Sequence, residues 1–255
     1  SYNRLFLSIV LFSLFINTIS VQSKTKYTFE KKAAWSDEFN YSGFPDPNKW
    51  QIDVACNSQG RKTFYVVNNR NVWVNKGLLE LRITKDNSII HSGRIQSKNV
   101  QIGFGRLDIR AKCPIANGVW PALYLRGTKR IPYFGEMDIL EYWGMYKSKF
   151  FQTNYHVWGD FRGKLHNHIA HPKKIICDIY KYHIYSFLND HDRSVVLKDG
   201  NPVYSITKKR EPSWPFSQPS DIILALAYVG NTMNDTGLPQ SLYVDWVRYY
   251  KLIMK

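Results

Sequence analysis

The stretch Gly105-Arg106-Leu107-Asp108-Ile109-Arg110-Ala111-Lys112-Cys113 alternates charged and apolar side chains from its second residue onwards. Successive side chains of a β-strand point to opposite faces, so this alternation is typical of a strand with one buried and one solvated face. Residues 79–83, Leu-Glu-Leu-Arg-Ile, repeat the pattern. Together the two runs predict antiparallel strands that cover a hydrophobic core with one face.

Further short runs rich in β-branched and aromatic residues follow along the chain, separated by Gly, Pro, Asn and Asp. We predict strands at 63–74, 119–125, 136–142, 151–158, 182–188, 193–198, 222–228 and 242–250. No stretch has the apolar period of a long amphipathic helix, and no linker or repeat marks a domain boundary. The sequence therefore predicts an all-β fold, a two-sheet antiparallel sandwich that forms a single domain over residues 24–255.

The first residues have the pattern of an export signal. Arg4 precedes an almost purely apolar run from Leu5 to Ile16, and small residues follow at Ser20 and Ser23. The run is too short for a membrane span and is typical of a secretory signal peptide, here residues 1–23. We expect a secreted protein, extracellular or periplasmic, with no membrane partner after signal removal. The alternative is an N-terminal anchor that stays attached.

The chain is basic, with a formal net charge of +15. Such a charge favours anionic partners, among them nucleic acid, acidic polysaccharide and negative cell surfaces. The basic residues are scattered and form no nucleic-acid-binding motif, so we expect no nucleic-acid partner. An acidic or sulfated glycan remains open as a substrate.

Metal-binding signatures are weak. The cysteines Cys56, Cys113 and Cys177 form no CxxC pair, which argues against zinc, and their odd number allows at most one internal disulfide. The three histidines of residues 166–171 are close in sequence, and we interpret them as part of a solvated loop.

Three acids stand close together in Gly135-Glu136-Met137-Asp138-Ile139-Leu140-Glu141. On a regular strand Glu136 and Asp138 share a face, whereas Glu141 points the other way. A β-bulge around residues 139–140 would return Glu141 to the face of the other two.

Carboxyl groups crowded on one face raise each other's pKa and tend to leave one of them protonated. A retaining glycosidase uses that asymmetry, with one carboxylate as nucleophile and one acid roughly 5–5.5 Å away. Glu136 and Glu141 fit such a pair, with Asp138 between them and hydrogen-bonded to the nucleophile. An exposed acidic edge strand and a calcium site are the alternatives, although the apolar residues between the acids argue against calcium.

The acid segment resembles the E-x-D-x-x-E signature of glycoside hydrolase family 16, in its laminarinase-like branch of endo-β-1,3-glucanases. Other matches occur in the family's order along most of the chain. They are Trp35–Phe39, Asn71–Val72, Gly77–Leu79, Ser92–Ile95, Gly105–Lys112, Gly118–Ala122, Trp214–Phe216 and Val244–Tyr250.

The resemblance implies a jelly-roll sandwich with a concave substrate cleft, and retaining hydrolysis with Glu136 as nucleophile and Glu141 as acid/base. The expected substrate and partner is a β-glucan polysaccharide, either laminarin-like β-1,3-glucan or mixed β-1,3/1,4-glucan, cleaved by double displacement by a monomer. Two alternatives stay open: hydrolysis of an algal galactan of the agar or carrageenan type, and a non-catalytic β-glucan-binding protein.

The resemblance also implies substrate contacts. Trp120 is expected to form an aromatic floor beside the cleaved bond, with Trp143 and Trp214 nearby. His156 is expected to donate to Glu141 or to a sugar hydroxyl. Arg94 is expected to bind a sugar hydroxyl, with a salt bridge as its alternative.

No cofactor is required for this chemistry. Asp245 stands where many relatives of the family bind a structural calcium ion, which makes it a candidate metal ligand. Ala225 stands where relatives usually carry Asn, and this departure leaves the sugar preference open.

Overall fold

The computed structural model describes residues 27–57, 63–129, 132–144, 150–211, 215–229 and 237–255. These segments form β-strands and one 3-10 turn at Pro215–Ser217, and no α-helix occurs among them. In this part of the chain no helix has the length and apolar character needed to cross a bilayer. The predicted signal peptide, 1–23, lies outside the described residues.

The strands form two sheets. The larger, which we call the outer sheet, has twelve strands: β1 (Tyr27–Phe29), β2 (Trp35–Asp37), β4 (Ala55–Asn57), β5 (Thr63–Tyr65), β6 (Val72–Asn75), β7 (Leu78–Asp86), β8 (Ile89–Ser92), β10 (Gly105–Lys112), β16 (His183–Asn189), β17 (Arg193–Lys198), β18 (Asn201–Thr207) and β20 (Gln240–Met254). The smaller, which we call the cleft sheet, has eight: β3 (Trp50–Ile52), β9 (Arg94–Ser97), β11 (Val119–Gly127), β12 (Tyr133–Glu141), β13 (Phe150–Phe161), β14 (Lys164–Ala170), β15 (Lys173–Ile176) and β19 (Ser220–Tyr228).

Pairing is antiparallel throughout both sheets except between β5 and β8. The predicted alternating strand 105–113 is confirmed as β10, which pairs with β16 on one side and β20 on the other. The main path of the cleft sheet runs β14-β13-β12-β11-β19-β9-β3. The acid strand β12 therefore lies between β11 and β13. Alternate side chains of these three strands lie on the face of the cleft sheet that is turned away from the outer sheet.

The hydrophobic core lies between the two sheets. Leu107 and Ile109 of the outer sheet and Leu123 and Met137 of the cleft sheet are buried in one apolar cluster. Burial of this apolar surface is the main stabilising contribution to such a sandwich. Alternation then directs the intervening residues of β11, β12 and β13 away from the core, which is how the fold presents polar side chains in the cleft.

The prediction of one strand over residues 63–74 is wrong. The chain forms β5 and β6 with a turn between them. The Oδ1 atom of Asn68 accepts hydrogen bonds from the backbone N–H groups of Arg70 and Asn71, at 3.0 and 2.9 Å. Such local bonding by an Asn side chain turns the backbone and interrupts a strand.

The interpretation of residues 166–171 as part of a solvated loop is also wrong for most of the segment. Residues 164–170 form β14, which pairs with β13 and extends the cleft sheet. Its side chains are exposed or half-buried on both faces. An edge strand without a buried face has no apolar alternation, which is why the sequence pattern gave no strand signal there.

Candidate active site

The predicted β-bulge in the acid strand is confirmed. Asp138 pairs with Asn154 and Glu141 with Gln152, so residues 139 and 140 face one residue of β13. The hydroxyl of that residue, Thr153, donates a 2.7 Å hydrogen bond to the carbonyl oxygen of Asp138. This bond satisfies a buried carbonyl group at the bulge, and the extra residue turns Glu141 towards the face of Glu136 and Asp138.

The three acids line a cleft of about 630 Å³ on the outer surface of the cleft sheet. Alternate residues of the three central strands form its floor and walls. They are Trp120, Ala122, Tyr124 and Arg126 of β11, Glu136, Asp138 and Glu141 of β12, and Gln152, Asn154, His156 and Trp158 of β13. The cleft is also lined by Cys56, Tyr65, Arg94, Trp143, His168, Ala225 and Ala227.

Glu141 is buried, with 8% of its surface exposed. Trp120 donates a 3.0 Å hydrogen bond from its indole Nε1 to Oε1 of Glu141. Burial raises the pKa of Glu141 well above its usual range, and the charge of Asp138 and a hydrogen bond with Asp138 raise it further. These effects favour the protonated form of Glu141, which is the form that a general acid needs.

Asp138 is the most buried of the three, at 3% exposure. Burial raises its pKa well above the usual range, and the charge of Glu136 adds to the effect. A hydrogen bond with Glu141 opposes the shift because Asp138 is the acceptor. Asp138 and Glu141 thus form a hydrogen-bonded pair of buried acids, and the expected bond from Asp138 to the nucleophile Glu136 stays a prediction.

Glu136 stands at the more open end of the triplet. Its cross-strand neighbours are Arg126 on β11 and His156 on β13. Nε of Arg126 lies 3.3 Å from Oε2 of Glu136. An arginine beside a carboxylate favours the charged form, which is the form that attacks an anomeric carbon.

The contacts that the structure gives His156 are not to Glu141, and donation to a sugar hydroxyl, the other expectation, stays a prediction. Nε2 of His156 lies 3.0 Å from Oδ2 of Asp138, while Nδ1 lies 2.9 Å from Nε2 of His168. The N–H direction at Nε2 is poorly aligned with that oxygen, so the contact is an electrostatic one. Burial lowers the pKa of His156, which keeps the ring neutral near pH 7.

Two tryptophans lie together beside the acids. The rings of Trp120 and Trp143 stack with centroids 4.2 Å apart and an interplanar angle of 25°. Both line the cleft, where flat apolar faces can pack against a sugar ring. Trp214, the third expected aromatic contact, lies outside the described residues.

Arg94 lines the far side of the cleft. Its Nε donates a 2.7 Å bond to Asp53, and its guanidinium lies over the ring of Tyr65 at 4.7 Å. The salt bridge considered from the sequence is thus confirmed, and Arg94 is held against the wall by two partners. Sugar binding by Arg94 stays a prediction.

Asp245, the candidate calcium ligand, is the extra residue at an irregularity where β20 pairs with β10. Its carboxylate accepts a hydrogen bond from Arg110. The guanidinium contacts one oxygen, Oδ2, of this carboxylate, and calcium binding at Asp245 stays a prediction.

One group of side chains could hold a metal ion. Glu136, Asp138 and His156 each place one ligand atom within 4.8 Å of the others, and no other such trio occurs in the described ranges. An ion bound there would occupy carboxylate oxygens of Glu136 and Asp138, which catalysis by paired carboxyl groups requires. Occupancy of this group would therefore inhibit that chemistry.

Several cleft residues were not found from the sequence, among them Tyr124, Arg126, Trp158 and His168. Tyr124 and Arg126 could have been predicted from alternation, because every second residue of β11 after Trp120 lies on the same face as Trp120. Trp158 could have been predicted in the same way, because it lies two residues after His156 on the same strand. His168 gave no signal, because its strand was not predicted.

A polar cleft floored by paired carboxyl groups and flanked by stacked tryptophans, on a two-sheet sandwich, has the features of an enzyme that cleaves polysaccharides. Comparison of the sequence with known families agrees with this. The chain belongs to the glycosyl hydrolases family 16, whose sequence model matches residues 60–248. The resemblance noted from the motifs is thereby confirmed.

Three relatives have sequences similar to this chain. A β-glucanase of Rhodothermus marinus is 28% identical, over 86% of this chain and 85% of the relative. A glucan endo-1,3-β-glucosidase A1 of Niallia circulans is 28% identical, over 85% of this chain and 37% of the relative. A keratan-sulfate endo-1,4-β-galactosidase of Sphingobacterium multivorum is 25% identical, over 92% of this chain and 59% of the relative.

Among solved structures, a laminarinase from Flavobacterium sp. UMI-01 superposes with a TM-score of 0.73 at 26% identity, covering 86% of this chain and all of that one. The predicted jelly-roll fold is confirmed by this likeness.

Proposed function

We propose that the protein is a secreted endo-acting hydrolase that cleaves β-1,3-glucan such as laminarin, or mixed β-1,3/1,4-glucan, with retention of configuration. The observation that carries the proposal is the bulged strand, which gathers Glu136, Asp138 and Glu141 on the floor of one open cleft. The β-glucanase and endo-1,3-β-glucosidase relatives support the substrate class. Secretion rests on the signal pattern of residues 1–23, and the monomeric state is likewise an expectation.

In the first step of the proposed mechanism, the carboxylate of Glu136 attacks the anomeric carbon and the glycosidic C–O bond breaks. Glu141 donates its proton to the departing oxygen, which leaves a covalent glycosyl ester on Glu136. The raised pKa of Glu141 supports its role as the proton donor.

In the second step, water attacks the same carbon while the Glu141 carboxylate accepts a proton from it. The ester bond to Glu136 breaks, and Glu141 is protonated again for the next cycle. Trp120 donates to Oε1 of Glu141 in both protonation states, so the indole helps to keep the group oriented through the cycle.

The experiment is hydrolysis of laminarin by the purified chain. We expect internal cleavage to a series of oligosaccharides, with the β-anomer formed first in a proton NMR time course. Glu136→Gln should reduce kcat by at least about 10³-fold, because the covalent step loses its nucleophile. Glu30→Gln, far from the cleft, is the matched control and should retain activity.

Initial formation of the α-anomer would refute retention. An active Glu136→Gln variant would refute the assigned nucleophile. Laminarin binding without any reducing-end release by the unmodified chain would favour the non-catalytic alternative.

A sulfated galactan is the second candidate substrate. Arg126, with 38% of its side chain exposed, is a cation on the cleft floor, and the chain carries a net charge of +15. The keratan-sulfate endo-galactosidase relative supports this candidate. A panel of laminarin, lichenan, agarose, carrageenan and keratan sulfate separates the two, and activity on laminarin alone would remove the second.

A further inference from the structure

Asp138, His156 and His168 form a continuous row of polar contacts across β12, β13 and β14. Oδ2 of Asp138 is 3.0 Å from Nε2 of His156, and Nδ1 of His156 is 2.9 Å from Nε2 of His168. Each contact joins residues on adjacent strands that are two positions out of register. Such diagonal neighbours lie within reach of long side chains.

The environment of Asp138 determines which ring nitrogens along this row of contacts carry a hydrogen. Oδ2 of Asp138 is buried and has no well-aligned hydrogen-bond donor among the described residues, and Nε2 of His156 faces it. Because Oδ2 has no hydrogen-bond partner in the described part of the chain, the hydrogen bond between Asp138 and Glu141 involves Oδ1, and Oδ2 is left with its lone pairs facing His156. A lone pair on Nε2 would be repelled by that oxygen, so the ring hydrogen belongs on Nε2.

A neutral imidazole carries one hydrogen, so Nε2–H leaves Nδ1 of His156 as a hydrogen-bond acceptor. The only donor that the described structure brings to Nδ1 is Nε2 of His168. Burial lowers the pKa of both rings, which supports two neutral imidazoles rather than an imidazolium pair. The tautomers of the two histidines are therefore linked.

Trp158 keeps the two histidines parallel. Its ring is stacked with His156 at 4.5 Å and with His168 at 4.7 Å, at interplanar angles of 15° and 3°. Trp158 and His168 are direct cross-strand partners. The aromatic contact restricts rotation of the rings and so fixes which edge of His156 faces Asp138.

We propose that His168 is a positioning residue that fixes the tautomer of His156 by donating its Nε2–H to Nδ1, so that the Nε2–H of His156 faces Asp138. The catalytic consequence rests on the proposed function, whereas the tautomer itself does not. By keeping the positive Nε2–H edge of His156 towards Asp138, the pair of histidines favours the ionised form of Asp138 through an electrostatic contact.

The direct test is long-range ¹⁵N–¹H NMR of the protein labelled with ¹⁵N-histidine, with His156→Gln used to assign the ring. We expect the Nε2–H tautomer of His156 in the unmodified chain and a mixture of tautomers in His168→Ala. His166→Ala, on the same strand but not in the cleft, is the matched control and should leave His156 unchanged. A proton on Nδ1 of His156, or an unchanged tautomer in His168→Ala, would overturn the proposal.

The kinetic test compares His168→Ala with His168→Gln, whose amide N–H is a replacement donor. A net hydrogen-bond contribution of the usual size corresponds to a roughly 2- to 12-fold loss of kcat in the alanine variant, with KM little changed. The glutamine variant should recover part of that loss. Equal losses in both variants would assign His168 a packing role and overturn the positioning role.

The two readouts separate this inference from the proposed function. A chain inactive on every glycan of the panel, yet with the expected tautomer, would refute the function alone. An active chain with Nδ1–H on His156 would refute the inference alone.

Discussion

Replacing Trp120 by Phe tests how the cleft tunes its general acid. The indole Nε1–H donates to Oε1 of the buried Glu141, and this bond lowers the pKa that burial and Asp138 raise. Phe keeps an aromatic ring beside the acids but has no N–H. The variant therefore removes the one interaction with Glu141 that favours its ionised form through a direct hydrogen bond.

The size of the effect follows from the difference between hydrogen bonds to charged and to neutral groups. These contribute about 1.5–3 and about 0.5–1.5 kcal/mol respectively, so the ionised form of Glu141 loses about 1 kcal/mol more than the protonated form. At 1.36 kcal/mol per pKa unit, the pKa of Glu141 should rise by about 0.7 unit. The acid must be protonated for the first step, so the basic limb of the profile should move to higher pH.

The assay is kcat/KM for laminarin across a pH series, which reports the free enzyme. Trp143→Phe is the matched control, because it alters the same aromatic stack without removing the donor to Glu141. A basic limb that stays in place in Trp120→Phe, or moves as far in Trp143→Phe, would refute this account of Glu141.

Three further outcomes are expected. Glu141→Gln should lower kcat on laminarin by about 10²–10⁴-fold but much less on an aryl glycoside whose leaving group needs no proton, and equal losses on both would contradict its role as acid. The same variant should be more stable than the unmodified chain in thermal denaturation at pH 7. The folded-state pKa of Glu141 is raised, so the contribution of Glu141 to stability is complete below its usual pKa of 4.5 and is lost as the pH rises. The difference in melting temperature between the variant and the unmodified chain should therefore vanish near pH 4. Ile139→Ala, at a fully buried site in the bulge, should destabilise the fold by about 2–5 kcal/mol in urea denaturation. It should also reduce activity more than Leu81→Ala in the outer sheet, and equal activity in the two would argue that the bulge does not orient the acids.

The sandwich could be predicted from the sequence because its strands have one buried and one solvated face. The bulge was predictable for a related reason, since Glu141 has to share a face with Asp138 for the acids to meet. In both cases the side-chain period of a strand limits the answer to very few arrangements.

The partners of the site residues could not be predicted in the same way. Alternation tells which face Trp120 and His156 occupy, but not that the first donates to Glu141 and the second faces Asp138. Which group each of these side chains contacts depends on the twist of the sheet and on the residues of the neighbouring strand. His168 was missed for another reason, since an exposed edge strand lacks the apolar period that identifies a strand.

The extra residue in β12 also bears on how this enzyme can diverge. Losing the codon for residue 139 or 140 would leave Glu141 two residues after Asp138, so a regular ladder without a bulge would still place both acids on the cleft face and the remaining residue in the core. A point substitution in the cleft alters one contact, whereas that frame-preserving deletion would keep the three acids on one face while straightening the path of β12. Loss of one residue at this point is therefore compatible with the acid triplet, and the altered strand path is a route to new substrate preferences besides exchange of residues on the cleft floor.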